Sequence, residues 1–176
     1  MVNIKKTNQA EFFNLSKKYT VYKIKYNNRY SKDSFLKRTK ENESLYFNRS
    51  YKNENSLDIH LECDEFTSVD NQVCKFLNTE LNYNKDKVAK SSWVYIQIPP
   101  NMKEGDGNII FKSEDKKHHT FIPEVNDIFI FPGDLKHLVM PSQSGTIDRV
   151  VYASNLNSDF NYKTESNKKI KFDEIY

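Results

Sequence analysis

The chain has 176 residues and a formal net charge of +3 at pH 7, which fits one domain or one domain with a modest extension. Hydrophobic residues make up 37% and aromatic residues 14%, so there is enough apolar surface for a core, and wholesale disorder is excluded. The positive charge comes mostly from lysine and is too small to indicate a nucleic-acid partner.

No stretch approaches the roughly 20 apolar residues of a membrane-spanning helix, and residues 1–6 lead into polar sequence rather than a signal peptide. We therefore expect a soluble, cytoplasmic protein with no membrane partner. Cys63 and Cys74 are too few for a disulfide framework and have no partners at zinc-site spacing, so we expect two partly buried thiols.

The N-terminal third, residues 1–57, is polar, rich in Lys and Asn, and weakly patterned. Within it, residues 20–26 alternate between apolar and polar side chains, which predicts a strand with one buried face. Residues 45–47 and 57–61 are weaker strand candidates.

Between residues 68 and 81 the pattern becomes helical. Apolar side chains recur there at helix spacing, namely Val69, Val73, Phe76, Leu77 and Leu81. We expect a helix that Ser68 or Asp70 caps and that ends in the Asn-rich run after Leu81.

Beyond residue 90 the sequence predicts only β-structure. Residues 91–100 are almost continuously apolar and end at two prolines, so this strand is expected to be covered on both faces. Further strands are predicted within 105–112, 118–134 (two strands), 136–141 and 147–156. Short strands at this spacing, with turn residues between them, are typical of a sandwich or barrel.

One segment, residues 121–156, carries the chemistry. The order and spacing of its residues are distinctive: Pro123, Asp127, Phe131, Pro132, Leu135, His137, Val139, Pro141 and, on the last strand, Arg149. In this pattern the segment resembles the iron(II)/2-oxoglutarate-dependent oxygenases, in the form often found in phage and marine bacterial genomes. Residues 91–100 and 105–112 look like two further strands of that family, so the resemblance covers about 91–157.

The resemblance implies a mainly β fold, a double-stranded β-helix of the jelly-roll or cupin-like kind, over residues 91–157. Residues 1–90 would be a helix-containing N-terminal extension that supports it within the same domain, and 158–176 a polar tail. Six strands alone leave open edges, so we expect the N-terminal strands to extend the sheets.

The resemblance also implies a site. Iron(II) would be held by two histidines and a carboxylate on one face of the metal, with His137 as one ligand. Arg149 would hold the far carboxylate of 2-oxoglutarate through its planar fork. From its position on the strand 91–100, we expect Tyr95 to hydrogen-bond the same molecule. Alternation along a strand supports this, because His137 shares a face with Val139, and Arg149 with Val151.

The family's upstream His-x-Asp pair is missing, since no histidine lies between His60 and His118. His60 and Glu62 have the required i, i+2 spacing and would complete the metal site if residues 63–90 were an insertion. Other possibilities are His119 as a ligand, Asp86 as the carboxylate, or a barrel that has lost its metal site.

The sequence therefore predicts an Fe(II)/2-oxoglutarate-dependent dioxygenase that hydroxylates an unidentified substrate. The alternative is a catalytically degenerate double-stranded β-helix protein that acts as a binding or structural module. A third possibility is a cupin-like barrel with a different metal or small ligand. The first two differ in whether a second histidine and a carboxylate converge on His137.

Overall fold

The computed structural model describes residues 3–6, 10–41, 46–49, 54–57, 63–80, 90–100, 102, 104–141 and 147–156. The helices and strands in chain order are β1 (Asn3–Lys6), β2 (Ala10–Asn14), β3 (Thr20–Lys25), α1 (Lys32–Glu41), β4 (Tyr46–Arg49), β5 (Glu54–Leu57), α2 (Asp64–Glu80), β6 (Lys90–Gln97), β7 (Ile109–Lys112), β8 (His118–Phe121), β9 (Asp127–Pro132), β10 (Lys136–Val139) and β11 (Val150–Leu156).

The architecture of the described chain is mainly β, with two helices. Six strands form one antiparallel sheet in the order β1-β2-β3-β9-β6-β11, and three form a second in the order β10-β7-β8, while β4 pairs with β5. The β-structure predicted beyond residue 90 is confirmed, since β6 to β11 all lie in the two larger sheets. The expected extension by N-terminal strands is also confirmed, because β3 pairs with β9.

The apolar core has two layers, one on each face of the six-stranded sheet. The layer towards the three-stranded sheet contains Phe13, Leu15, Tyr19, Val21, Tyr95, Ile109, Phe111, Phe129, Phe131 and Leu135. The layer under the helices includes Ile24, Phe35, Phe66, Val73, Phe76, Leu77, Val94, Ile96, Ile128 and Ile130. Strands β6 and β9 supply both layers, which explains their continuous apolar sequence. Within residues 91–100, which were expected to be covered on both faces, the side chains of Trp93, Gln97 and Ile98 are only half-buried.

The predicted central helix is present as α2, but it begins earlier than expected. Ser68 and Asp70 lie inside the helix, so the prediction that either caps it is wrong. The first turn instead carries Asp64 and Glu65, whose charges suit the positive end of the helix dipole. Cys74 is 3% exposed, so the expectation of a partly buried thiol there is wrong too.

Three N-terminal elements, α1, β1 and β2, were not predicted. Helix α1 follows Ser31, whose hydroxyl accepts a hydrogen bond from the Ser34 amide at 3.2 Å and so caps the helix. Its one buried side chain is Phe35, which leaves almost no apolar periodicity to detect. Of the two weaker strand candidates, residues 45–47 overlap β4. The other, residues 57–61, shares only Leu57 with β5, and its residues 58–61 lie outside the described residues.

A tight turn joins β9 to β10 and leads the chain from the large sheet to the small one. The Leu135 amide donates to the Pro132 carbonyl at 3.0 Å, and the Leu135 side chain is 1% exposed between the sheets. This buried anchor sets the start of β10, so that His137 is its second residue. In the part of the chain that the structure describes, no helix is long and apolar enough to cross a membrane.

Candidate functional site

His137 lies on the side of the three-stranded sheet that faces the six-stranded sheet, and its side chain is accessible to solvent. It is opposite Phe111 in the β10–β7 register, and Phe111 is buried between the sheets, so both side chains face inwards. The His137 ring contacts the rings of Trp93 and Phe131 at centroid distances of 5.0 and 4.9 Å. The side chain is nevertheless exposed, so a ligand can reach it.

The tautomer of His137 follows from its hydrogen bond. Its Nδ1 atom lies 2.8 Å from the Leu135 carbonyl oxygen. Because a carbonyl only accepts, Nδ1 carries a proton, so in the neutral ring Nε2 holds the lone pair. Metal-binding histidines commonly donate their second ring N–H to a carbonyl or carboxylate in this way. His137 is therefore arranged to offer Nε2 to a metal.

Arg149 immediately precedes β11, and its side chain reaches the end of β10. Its Nη1 group donates to the Met140 carbonyl at 2.8 Å. Among the described residues no carboxylate forms an ion pair with it, and the exposed Asp148 beside it engages Gln97 through its backbone carbonyl instead. A guanidinium has five N–H donors, so most of its donors have no acceptor within the described chain.

Tyr95 is fully buried, and its hydroxyl has no hydrogen-bond partner in the described chain. Burial raises the pKa of this hydroxyl, and the nearby positive charge of Arg149 partly opposes that rise. Tyr95 is also opposite Val151, two residues after Arg149. A buried hydroxyl without a partner is costly and calls for an explanation, for which a bound ligand is one candidate.

The spacing along β6 relates the histidine to the arginine and tyrosine. Trp93 and Tyr95 face the same side of β6, Trp93 contacts His137, and Tyr95 lies within the electrostatic influence of Arg149. Two residues along a strand span about 7 Å. The backbone positions of Trp93 and Tyr95 are therefore about 7 Å apart along β6.

Of the other predicted ligands, only His119 lies among the described residues. His60, Glu62 and Asp86 lie outside the described residues. His119 faces inwards in the same cross-strand row as His137, but strand β7 lies between them. Two strand spacings amount to about 10 Å, which is too far for direct binding of one metal ion.

His119 has a local partner of its own. Its Nε2 atom lies 3.0 Å from the Ser113 hydroxyl, and burial lowers the pKa of the ring. Over the described ranges, no three His, Cys, Asp or Glu side chains are grouped as a metal site.

Two features of the site were not predicted from the sequence: the aromatic rings that contact His137 and the glycine that lies beside Arg149. Trp93 was predicted only as part of a strand covered on both faces and Phe131 only as a motif position, although both touch the histidine. Gly107 was predicted only as part of the segment 105–112, which contains a strand. Its φ of 66° and its close approach to Arg149 show a second role. The signal that was available is the pair of glycines, Gly105 and Gly107, just before β7.

No family model matches the sequence, and no curated protein matches it either. Among solved structures, the chain is similar to a prolyl-4-hydroxylase from Pseudomonas putida, with a TM-score of 0.48 and 12% sequence identity. The similarity covers 77% of this chain and 86% of that one.

Proposed function

We propose that this protein is an iron(II)/2-oxoglutarate-dependent oxygenase built on a double-stranded β-helix, and that it hydroxylates a C–H bond of its substrate. The observation that carries the proposal is that, among the described residues, Trp93 and Tyr95 lie on one side of β6, where Trp93 contacts His137 and the unpartnered Tyr95 hydroxyl lies within the electrostatic influence of Arg149. The motif of residues 121–156 supports it independently.

Each residue has a role that its surroundings support. Arg149 would bind the far carboxylate of 2-oxoglutarate with its spare N–H donors, and the buried Tyr95 hydroxyl would donate to the same carboxylate. His137 would hold the ferrous ion through Nε2, and His60 and Glu62 are the proposed remaining ligands. Dioxygen would be the oxidant: with ferrous ion and 2-oxoglutarate bound, one of its oxygen atoms would go to the substrate C–H bond and the other to succinate, as 2-oxoglutarate loses carbon dioxide.

The first test is binding of 2-oxoglutarate, followed by thermal unfolding with ferrous ion under argon. Each tenfold excess of ligand over its Kd should stabilise the wild-type protein by about 1.4 kcal/mol. Arg149→Lys should lose most of that stabilisation, because an ammonium cannot reproduce the bidentate fork. Arg29→Lys is the matched control, since Arg29 is exposed and lies far along the chain from the site.

The outcomes of this test separate the candidates. Equal stabilisation of wild type and Arg149→Lys would refute the role of Arg149. Stabilisation that requires no metal ion would favour the binding module over the oxygenase. No thermal shift with 2-oxoglutarate or any related dicarboxylate, with or without ferrous ion, would refute the proposed function.

The second test concerns the metal. His137→Ala should abolish ferrous-ion binding, because removing one imidazole leaves too few protein donors for a labile ion. Anaerobic titration, read by the metal-to-ligand charge-transfer absorption of the complex with 2-oxoglutarate, measures this. His118→Ala is the control, because His118 is exposed on β8 and should leave binding unchanged. Wild-type affinity in the folded His137→Ala variant would contradict the assignment.

A further inference from the structure

The Arg149 guanidinium is enclosed by three chain segments that are distant in sequence. Its Nη1 group donates to the carbonyl of Met140, which follows β10. A Cβ atom built on Gly107, in the turn before β7, would lie 3.4 Å from the same Nη1. It would also lie 3.1 Å from Sδ and 3.3 Å from Cε of Met102, which follows β6. The thioether of Met102 and the guanidinium of Arg149 therefore both lie beside the bare face of Gly107.

Glycine is favoured at this position for two reasons. Its φ of 66° is in the left-handed region, which other residues adopt at a cost. A Cβ atom at 3.1 and 3.3 Å from Met102 would also push that side chain by a few tenths of an ångström, next to an Nη1 atom that is already at contact distance. Gly105 shares the first property, with a φ of 89°, but has nothing within 4 Å of its Cβ position. The chain thus contains its own control for backbone strain alone.

The chemistry of Met102 matters as much as its shape. A thioether is at most a weak hydrogen-bond acceptor and carries no charge, so beside the guanidinium it leaves the N–H donors available. An acidic or amide side chain at position 102 would instead compete for those donors. Met102 is half-buried, so its side chain stays partly accessible to solvent.

We propose that Met102 and Gly107 are positioning residues for Arg149, and that they set the preference of this site for ligands with a second carboxylate. This inference rests on the proposed function, because it assigns Arg149 to the far carboxylate of the ligand. Gly107 provides the space, Met102 fills it with an apolar group, and the Met140 carbonyl fixes Nη1. The remaining N–H donors then keep one orientation near the Tyr95 hydroxyl.

The experiment compares two ligands of equal chain length, 2-oxoglutarate and 2-oxopentanoate, which lacks the second carboxylate. Their Kd values are measured on the full chain with ferrous ion under argon, and the ratio of the two is the readout. A merely structural change moves both affinities together, whereas a misplaced guanidinium changes the ratio. Loss of a charge-assisted contact is expected to reduce the preference about ten- to a hundredfold.

The expected pattern is specific to each variant. Gly107→Ala should lose most of the preference for 2-oxoglutarate, and Gly105→Ala should keep the wild-type ratio. Met102→Glu should lose the preference by pairing internally with Arg149, while Met102→Leu should retain it. The Met102 pair keeps the proposal testable if Gly107→Ala does not fold, because neither Met102 variant alters the glycine.

Two results would overturn different claims. A wild-type protein that binds both ligands equally would refute the assignment of Arg149 and with it the proposed function. The roles of Met102 and Gly107 would be refuted, and the proposed function would stand, if the wild-type protein prefers 2-oxoglutarate and one of two results is found. Either the preference persists in Met102→Glu, or it is the same in Gly107→Ala as in Gly105→Ala.

Discussion

Replacing Phe129 with alanine is expected to lower the free energy of unfolding by about 3–5 kcal/mol, the range for removal of a large buried aromatic ring. Phe129 is 0% exposed between the two larger sheets, with the rings of Tyr95 and Phe121 at 6.0 and 5.8 Å. The loss combines the transfer free energy of the ring with the cavity left behind. It would remove a large share of the roughly 5–15 kcal/mol that stabilises a typical domain.

Chemical denaturation of the two proteins measures this effect. The control is Ile122→Ala, because Ile122 is 73% exposed in the loop before β9 and should change stability by no more than about 0.5 kcal/mol. A loss below about 1 kcal/mol for Phe129→Ala would show that the two sheets do not enclose a packed core.

Asp70 should make the stability of the protein fall as the pH rises from about 4 to about 7. Its carboxylate is fully buried and accepts hydrogen bonds from the Tyr152 and Ser154 hydroxyls at 2.8 Å each. No cation in the described residues pairs with it, and burial raises its pKa from 3.8 to about 7. The folded state therefore holds the proton more tightly than the unfolded chain does.

The sign of the pH effect follows from linkage. Below about pH 4 the carboxyl is protonated in both states, and its contribution is fully present. Between the two pKa values the folded protein must keep a proton that the unfolded chain releases, so stability falls by up to about 1.4 kcal/mol per pH unit. Above about pH 7 the contribution has been lost, for a total of a few kcal/mol.

Asp70→Asn isolates this contribution, because an amide fits the same hydroxyls and does not titrate. The free energy of unfolding of wild type relative to Asp70→Asn should fall by a few kcal/mol between pH 4 and pH 8. In Asp148→Asn, where the replaced residue is exposed, the profile should follow that of wild type. Parallel profiles for wild type and Asp70→Asn would contradict the raised pKa.

The Asp70 network also fastens α2 to the large sheet. The Ser154 hydroxyl donates its one proton to Asp70, so the Ser92 hydroxyl at 2.8 Å must donate to Ser154. Helix α2 is thereby connected to β11 and, through it, to Ser92 of β6. Ser92 alternates with Trp93 and Tyr95 along β6, so the network lies on the helix side of the sheet. Changes at Asp70 should therefore affect the position of the helix layer rather than the inner face of the sheet.

Local sequence was sufficient wherever the side-chain pattern has a clear period. Strands β6 to β11 were predictable because their apolar runs are short and bounded by turn residues, and α2 because Val73, Phe76 and Leu77 share one helix face. His137 and Arg149 could be singled out by their spacing in a motif. Elements with little apolar surface, such as α1, carry no such period and were missed.

Only the tertiary structure decided what surrounds these residues. The local sequence suggested that Asp70 caps a helix, but in the structure its carboxylate is bound by two hydroxyls from β11. Their residues are more than 80 positions away along the chain, so the sequence around Asp70 gives no sign of them. The guanidinium of Arg149 and the side chain of Met102 both lie beside Gly107, in the connection between β6 and β7, which belong to different sheets. Periodicity predicts which face of a strand is buried, whereas the packing of one sheet on another determines which side chains on those faces meet.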